Sequence, residues 1–509
     1  MLSKILSATT IGIEARQIEV EVDIASGLPQ VAIVGLPDTA IRESKDRVKS
    51  AIKNSQFEYP SQKLTVNLAP CDIKKEGPCF DLPIAIGILS ASGQININNI
   101  KDFVFLGELA LNGRIRPVKG VLPIAISLKG SSKKLVIPEE NADEAKLVDG
   151  LEIYAVKNLN DICSFLNEEK ALYPLGPFEK DAYFNNTDYD LDFSDVKGQS
   201  YAKRAMEIAA AGGHNILMIG PPGSGKTMLA KRLPSIMPDM SFEECIETTK
   251  IYSVSGLFSA QKSIITKRPF RAPHHTASDV SLVGGGNIPR PGEVSLAHNG
   301  VLFMDELPEF HKNVLEALRQ PLEDGYVIIS RANGSVRFPS KFMLVCAMNP
   351  CPCGFLTDPK KECHCTPPKI QKYLSRISGP LLDRIDIHIE VPPVKYRELT
   401  DDSSSEKSET IKQRVTAARM IQYARLKNEK IYSNSSMNHR LIKRYCKLNE
   451  ESQDLLKTAI SELGFSARCY DKILKIARTI ADLDGKENIE TLHVSEAIQY
   501  RSLDKNMWI

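Results

Sequence analysis

No stretch of the 509-residue chain reaches the roughly 18 consecutive apolar residues of a membrane span. That excludes a helical membrane protein. Charge excess is missing too: 65 Lys and Arg face 63 Asp and Glu, a net charge of +2. A nucleic-acid partner would therefore have to be met by a local basic surface rather than by bulk charge. There is no internal repeat and no long low-complexity segment. Eleven cysteines in a chain this long do not form a secreted disulfide scaffold. The N-terminus meets Lys4, Glu14 and Arg16 before any long apolar run, which argues against a signal peptide. A cytoplasmic, membrane-free protein is expected. What remains, 42% hydrophobic and 25% charged residues, is ordinary for a soluble chain long enough for two or three domains.

Residues 1–170 mix period-two runs (IEVEVDI, QVAIVGLP, KLTVNLAP, FVFLGELAL, KKLVIP) with helical patterns (TAIRESKDRVKSAIKN, LPIAIGILSASG). This predicts an α+β domain. Residues 171–192 are rich in Asp, Asn, Tyr and Pro without periodicity and read as a linker. Residues 193–395 carry the apolar runs HNILMIG, GVLFMDE and FMLVCAMN, which suit parallel strands covered on both faces. A polar tract at 400–409 precedes a helical C-terminal region, so 396–509 is a separate domain in this reading.

GPPGSGKT comprises Gly220, Pro221, Pro222, Gly223, Ser224, Gly225, Lys226 and Thr227. It lies between an apolar run and a helical pattern, the strand–loop–helix setting of an ATP phosphate loop. Glycines let successive N–H groups face the phosphates, and the helix N-terminus favours their charge. Lys226 is expected at the β/γ-phosphates and Thr227 on Mg²⁺. Asp305 ends the run GVLFMD and is expected to hold Mg²⁺, with Glu306 as general base for the attacking water. Asn349 ends FMLVCAMN and is expected to position that water against the γ-phosphate.

The stretch FRAPHHTASDVSLVGGGNIPRPGEVSLAHNGVLFMDELPEF (270–310), with AMNPCPCG (347–354) and SGPLLDRIDIHIEVP (378–392), resembles the ComM/YifB family. These are AAA+ ATPases related to the magnesium-chelatase ATPase subunit, and the likeness runs over essentially the whole chain. It implies an α/β fold with three parts: a Lon-protease-like N-terminal α+β domain, an AAA+ ATPase core and a C-terminal helical lid. It further implies a homo-hexameric ring with ATP sites between subunits. The implied activity is helicase-type branch migration of branched or single-stranded DNA held in the ring pore, serving homologous recombination in natural transformation. By the same likeness, Arg384 in LLDRID is the arginine finger and Arg468 in SAR the sensor-2 arginine. The 78 residues between Lys226 and Asp305, including Gly284–Gly286, Pro289 and Pro291, resemble the helix-2 insert of this clade. Strand patterns flanking Ala332-Asn333-Gly334 predict a hairpin before Asn349, with Arg331 and Arg337 as candidate DNA-phosphate contacts. The alternative readings are a magnesium-chelatase-like or chaperone-like remodelling ATPase and, further off, a Lon-like protease.

Cys351, Cys353, Cys363 and Cys365 form C-x-C…C-x-C within fifteen residues, with His364 in the second pair. Four thiolates match a structural Zn²⁺ site in count, although the spacing is tighter than usual. Free thiols or redox sensing are the alternatives. KKEGPCFD (74–81) and GELALNGRIRPVKG (107–120) resemble the Lon proteolytic domain, with Cys79 at the nucleophile position. Ile124 falls where that family's catalytic lysine belongs, and Lys119 and Lys129 are out of register. A retained fold without protease chemistry is expected.

Overall fold

The computed structural model describes residues 1–96, 100–178, 189–258, 264–286, 289–331, 334–358, 361–394 and 405–503. Part of the expected linker, the Ala332-Asn333 turn and the first half of the polar tract lie outside these residues. The chain is a mixed α/β protein that divides into two compact units. One comprises Met1–Asn186 with Phe242–Ile265; the other comprises Thr187–Ser241 with Thr266–Ile509.

The first unit is built on a seven-stranded mixed sheet. Its long hairpin pairs Leu2–Ile11 with Glu14–Ala25 in antiparallel register, Leu2 opposite Asp23 and Ile11 opposite Glu14. Side chains alternate between buried and exposed along Glu14–Ala25, as the period-two pattern dictates. The Phe103–Phe105, Lys134–Pro138 and Ile153–Val156 strands extend the sheet in parallel. The Asp81–Ala91 helix is buried along its whole length against the hairpin. A helix from far along the sequence, Phe242–Ser255, completes this unit beside the Val121–Leu128 helix. Its Ser253 hydroxyl donates to Glu144, a buried carboxylate that also accepts from Leu122 N at 2.9 Å.

The second unit holds a five-stranded parallel sheet in the order Phe270–Arg271, Val301–Met304, Met343–Met348, Ile216–Ile219, Ile387–Glu390. The three inner strands are buried at every residue, which explains their unbroken apolar composition. The helices Ser408–Leu426 and Ala467–Leu483 share one continuous core with this sheet, through Val415, Ile473, Ile476 and Ile480. No described helix is long and apolar enough to cross a membrane.

A buried polar cluster lies beneath that core. Asp386 meets Lys472 at 3.1 Å and His214 at 3.2 Å, and His214 meets Thr479 at 2.9 Å. Burial alone would raise the Asp386 carboxyl, but Lys472, His214 and Lys475 together hold it well below the carboxylate range. Burial pushes His214 below its ordinary value despite the pull of Asp386. A histidine depressed in the folded state binds fewer protons there than in the unfolded chain. Stability is therefore lost as pH falls through the unfolded value of about 6.5, and the depressed carboxylate adds loss below about 4. Tm is expected to rise between about pH 5 and pH 7, and a His214→Asn chain should show a shallower rise. Thermal melts across that interval check this, and an unchanged slope would remove His214 as its source.

Candidate active site

Strand order assembles the site. Met343–Met348 lies between Ile216–Ile219 and Val301–Met304, so the segments leaving three neighbouring strands meet at one edge of the sheet. Ligands gather outside the carboxyl ends of such strands. From the first comes the phosphate loop, Gly220 to Gly225, followed by the Lys226–Ile236 helix. Gly223 and Gly225 take φ of +78° and +88°, the left-handed region that glycine enters without strain. Gly220 is required for space, because a Cβ there would meet the Val391 carbonyl oxygen at 2.2 Å.

Lys226 is buried, and its ammonium donates to Gly220 O at 2.7 Å and Pro221 O at 2.9 Å, with Asn349 Oδ1 at 3.5 Å. Burial lowers its pKa, with Asp305 pulling the other way. Thr227 Oγ1 donates to Asp305 Oδ2 at 2.9 Å. Neighbouring oxygens of an octahedral Mg²⁺ at about 2.1 Å stand roughly 3.0 Å apart, so this pair fits the ion in donor type and spacing. Glu306 follows in a left-handed conformation, φ +53°, which costs a non-glycine residue about 1 kcal/mol or more. Its N–H donates to Asp305 Oδ1 at 3.0 Å, and its exposed carboxylate lies 3.4 Å from His275 Nδ1.

Lys226, Thr227, Asp305 and Asn349 thus come together with Glu306 at their margin. Arg384 and Arg468 have other partners: Arg384 pairs with Glu323, and Arg468 stands 4.0 Å from Asp383 with two-thirds of its side chain exposed. The hairpin before Asn349 forms from Tyr326–Arg331 and Gly334–Pro339, with Arg331 opposite Gly334. Both of its candidate arginines are exposed and braced. Arg337 lies 3.5 Å over the Tyr326 ring, and Arg331 Nε donates to Gly286 O at 3.1 Å.

Two neighbours of the site were not foreseen. His275 belongs to the PHHTAS stretch, where a paired histidine was the available signal. Gln199 sits at φ +55° just before the Ser200–Gly212 helix, and its amide donates to the Ser224 carbonyl of the phosphate loop. A cavity of about 440 Å³ opens beside Gln199, lined by Lys197, Lys203, Arg204, Glu207, Glu406 and Arg414 among others.

Directly after Asn349, the four sulfurs of Cys351, Cys353, Cys363 and Cys365 lie within 4.8 Å of one another. Three pairs are separated by 3.3, 3.6 and 3.7 Å. A tetrahedral ion with Zn–S near 2.3 Å sets its sulfurs about 3.8 Å apart, so the cluster fits zinc in donor set and size.

In the first unit, Cys79 sits on the short Pro78–Phe80 turn, and its thiol faces Glu76 O at 3.8 Å. Burial pushes it up to about 12, with Asp81 and Asp38 adding to the rise. Ile124 is buried on the Val121–Leu128 helix. The thiolate is the reactive form, so iodoacetamide applied to the native chain should label exposed Cys71 well before Cys79. Peptide mass spectrometry reads this, and prior labelling of Cys79 would restore it as a candidate nucleophile.

The family description "Magnesium chelatase, subunit ChlI" matches residues 192–399, the related "Subunit ChlI of Mg-chelatase" matches 20–141, and the ChlI C-terminal description matches 405–501. The chain is 46% identical to Competence protein ComM of Haemophilus influenzae, covering 99% of this chain and 98% of that one. It is 45% identical to the YifB protein of Escherichia coli over the same shares. A partial match, 32% identical over 29% of each chain, is to Lon protease 2 of Bacillus subtilis.

Proposed function

Because the chain belongs to the ComM/YifB family of AAA+ proteins, we propose that it is an ATP-driven ring motor that migrates DNA branch points during uptake of transforming DNA. The observation that carries the ATPase half of this reading is the convergence of Lys226, Thr227, Asp305 and Asn349 beside Glu306. In that role Lys226 neutralises the β/γ-phosphates, while Thr227 and Asp305 hold Mg²⁺, which supplies charge stabilisation on the phosphates. Glu306 accepts the proton of the attacking water. The water oxygen bonds to the γ-phosphorus as the bond to the β-phosphate oxygen breaks, giving ADP and phosphate. Asn349 orients the water. The cavity beside Gln199 is of a size that suits the nucleoside end of ATP. The reading assigns Arg384 to a neighbouring subunit's γ-phosphate in a homo-hexamer, and Arg468 the role of sensor-2 arginine.

The DNA half rests on the basic hairpin that carries Arg331 and Arg337 and on the name of the competence relative. The Lon-like likeness and the unactivated Cys79 support a first unit that retains a protease-related fold without its chemistry.

Lys226→Ala should abolish binding of a fluorescent ATP analogue. Glu306→Gln should keep binding but lose about 10²- to 10⁴-fold in kcat, the usual range for a general base; wild-type turnover in that variant would remove Glu306 from the role. The DNA reading predicts ATP-dependent movement of a synthetic four-way junction, absent with Lys226→Ala. A junction that stays put while the wild-type chain hydrolyses ATP would overturn the motor assignment.

A further inference from the structure

The excursion from Cys351 to Cys365 interrupts the chain at a sensitive point. Asn349 ends its strand within reach of Lys226, and the cysteine turn starts two residues later. Gly354 N donates to Cys351 O at 3.0 Å and closes that turn at φ +85°. The turn then presses on the phosphate loop. A Cβ at Gly354 would lie 2.6 Å from Pro222 Cδ and 3.8 Å from Asn349 Cγ. One small turn therefore leaves no room for a side chain against Pro222 of the phosphate loop, and it lies beside Asn349, the residue expected to position the attacking water.

Apolar burial does not hold this excursion in place. Among its described residues only Cys351 and Gly354 are buried, and the other three cysteines are half-buried. Yet all four sulfurs, from two pairs ten or more residues apart, converge within 4.8 Å. A segment without a core of its own needs a cross-link to keep one shape, and four thiolates around zinc supply one, with folding free energy to match.

We propose that Cys351, Cys353, Cys363 and Cys365 bind one Zn²⁺ as a tetrathiolate, and that this ion clamps Asn349 and Pro222 in the register that ATP turnover requires. The site has four protein ligands and no open position, so it does no chemistry on substrate; it acts through geometry. The turnover part rests on the ATPase reading above, whereas the metal and its mechanical role stand apart from it.

The test uses the full-length chain. Elemental analysis should find one zinc per chain, and a Cys363→Ser/Cys365→Ser chain, altered at the less buried pair, should contain none. Hydrogen exchange at the Asn349 and Gly354 amides should quicken in that variant. Its kcat should fall by about tenfold to a hundredfold, the scale of a small misplacement in a catalytic site, while binding of the ATP analogue persists. A Cys71→Ser chain should match wild type in all four readouts. Should the double variant fail to fold, stripping wild-type protein with a chelator and restoring zinc provides the same comparison, with turnover lost and then regained. Iron in place of zinc, or an active wild-type chain without metal, would overturn the assignment. A zinc-free chain with unchanged exchange and wild-type kcat would overturn the clamp. If the wild-type chain hydrolyses no ATP, the function proposed above fails, and zinc content and amide exchange still decide the clamp.

Discussion

A buried ammonium held by neutral carbonyls is the point on which this structure turns. Lys226 donates to the oxygens of Gly220 and Pro221, and burial already disfavours its charge. A polyanion entering the loop supplies the countercharge that the carbonyls only approximate. Keeping the lysine there requires glycines that let the loop double back, an amide from Gln199 to hold the Ser224 carbonyl, and a strand order that brings Asp305 and Asn349 alongside. Most of the second unit can be understood as the scaffold for that one placement.

The first unit illustrates the converse. It keeps a turn of nucleophile shape but surrounds the thiol with burial and negative charge, both of which favour the neutral form. Ile124 packs into the core of this unit.

The phosphate loop was legible in the sequence because its chemistry demands particular residues at fixed spacing. Asp305, Glu306 and Asn349 were legible because an unbroken apolar run ending in a polar side chain marks the end of a buried strand. The four cysteines announced themselves by spacing, although only the fold shows their sulfurs converging. Other features were hidden for physical reasons. The pairing of His275 with Glu306 joins residues 31 positions apart in sequence, and no local pattern encodes it. The cluster of Asp386, His214 and Lys472 joins two residues that lead into strands and one on a distant helix, and no local pattern brings them together. The first strand, Leu2–Ile11, was obscured by polar residues that alternate only partly. The Phe242–Ser255 helix falls inside the stretch assigned to the ATPase core, and nothing local in its sequence tells which core it packs against.

That helix has a consequence for the heredity of the protein. It lies within the stretch that carries the phosphate loop, between Ser241 and Thr266, yet it packs with the first unit, where Ser253 donates to the buried Glu144. The first unit is therefore not a cassette. A gene fusion that exchanged only the first 186 residues would bring in a domain lacking its own last helix and leave an orphaned one behind in the host. The buried Glu144 would lose the Ser253 hydroxyl with that helix and keep only its remaining partners.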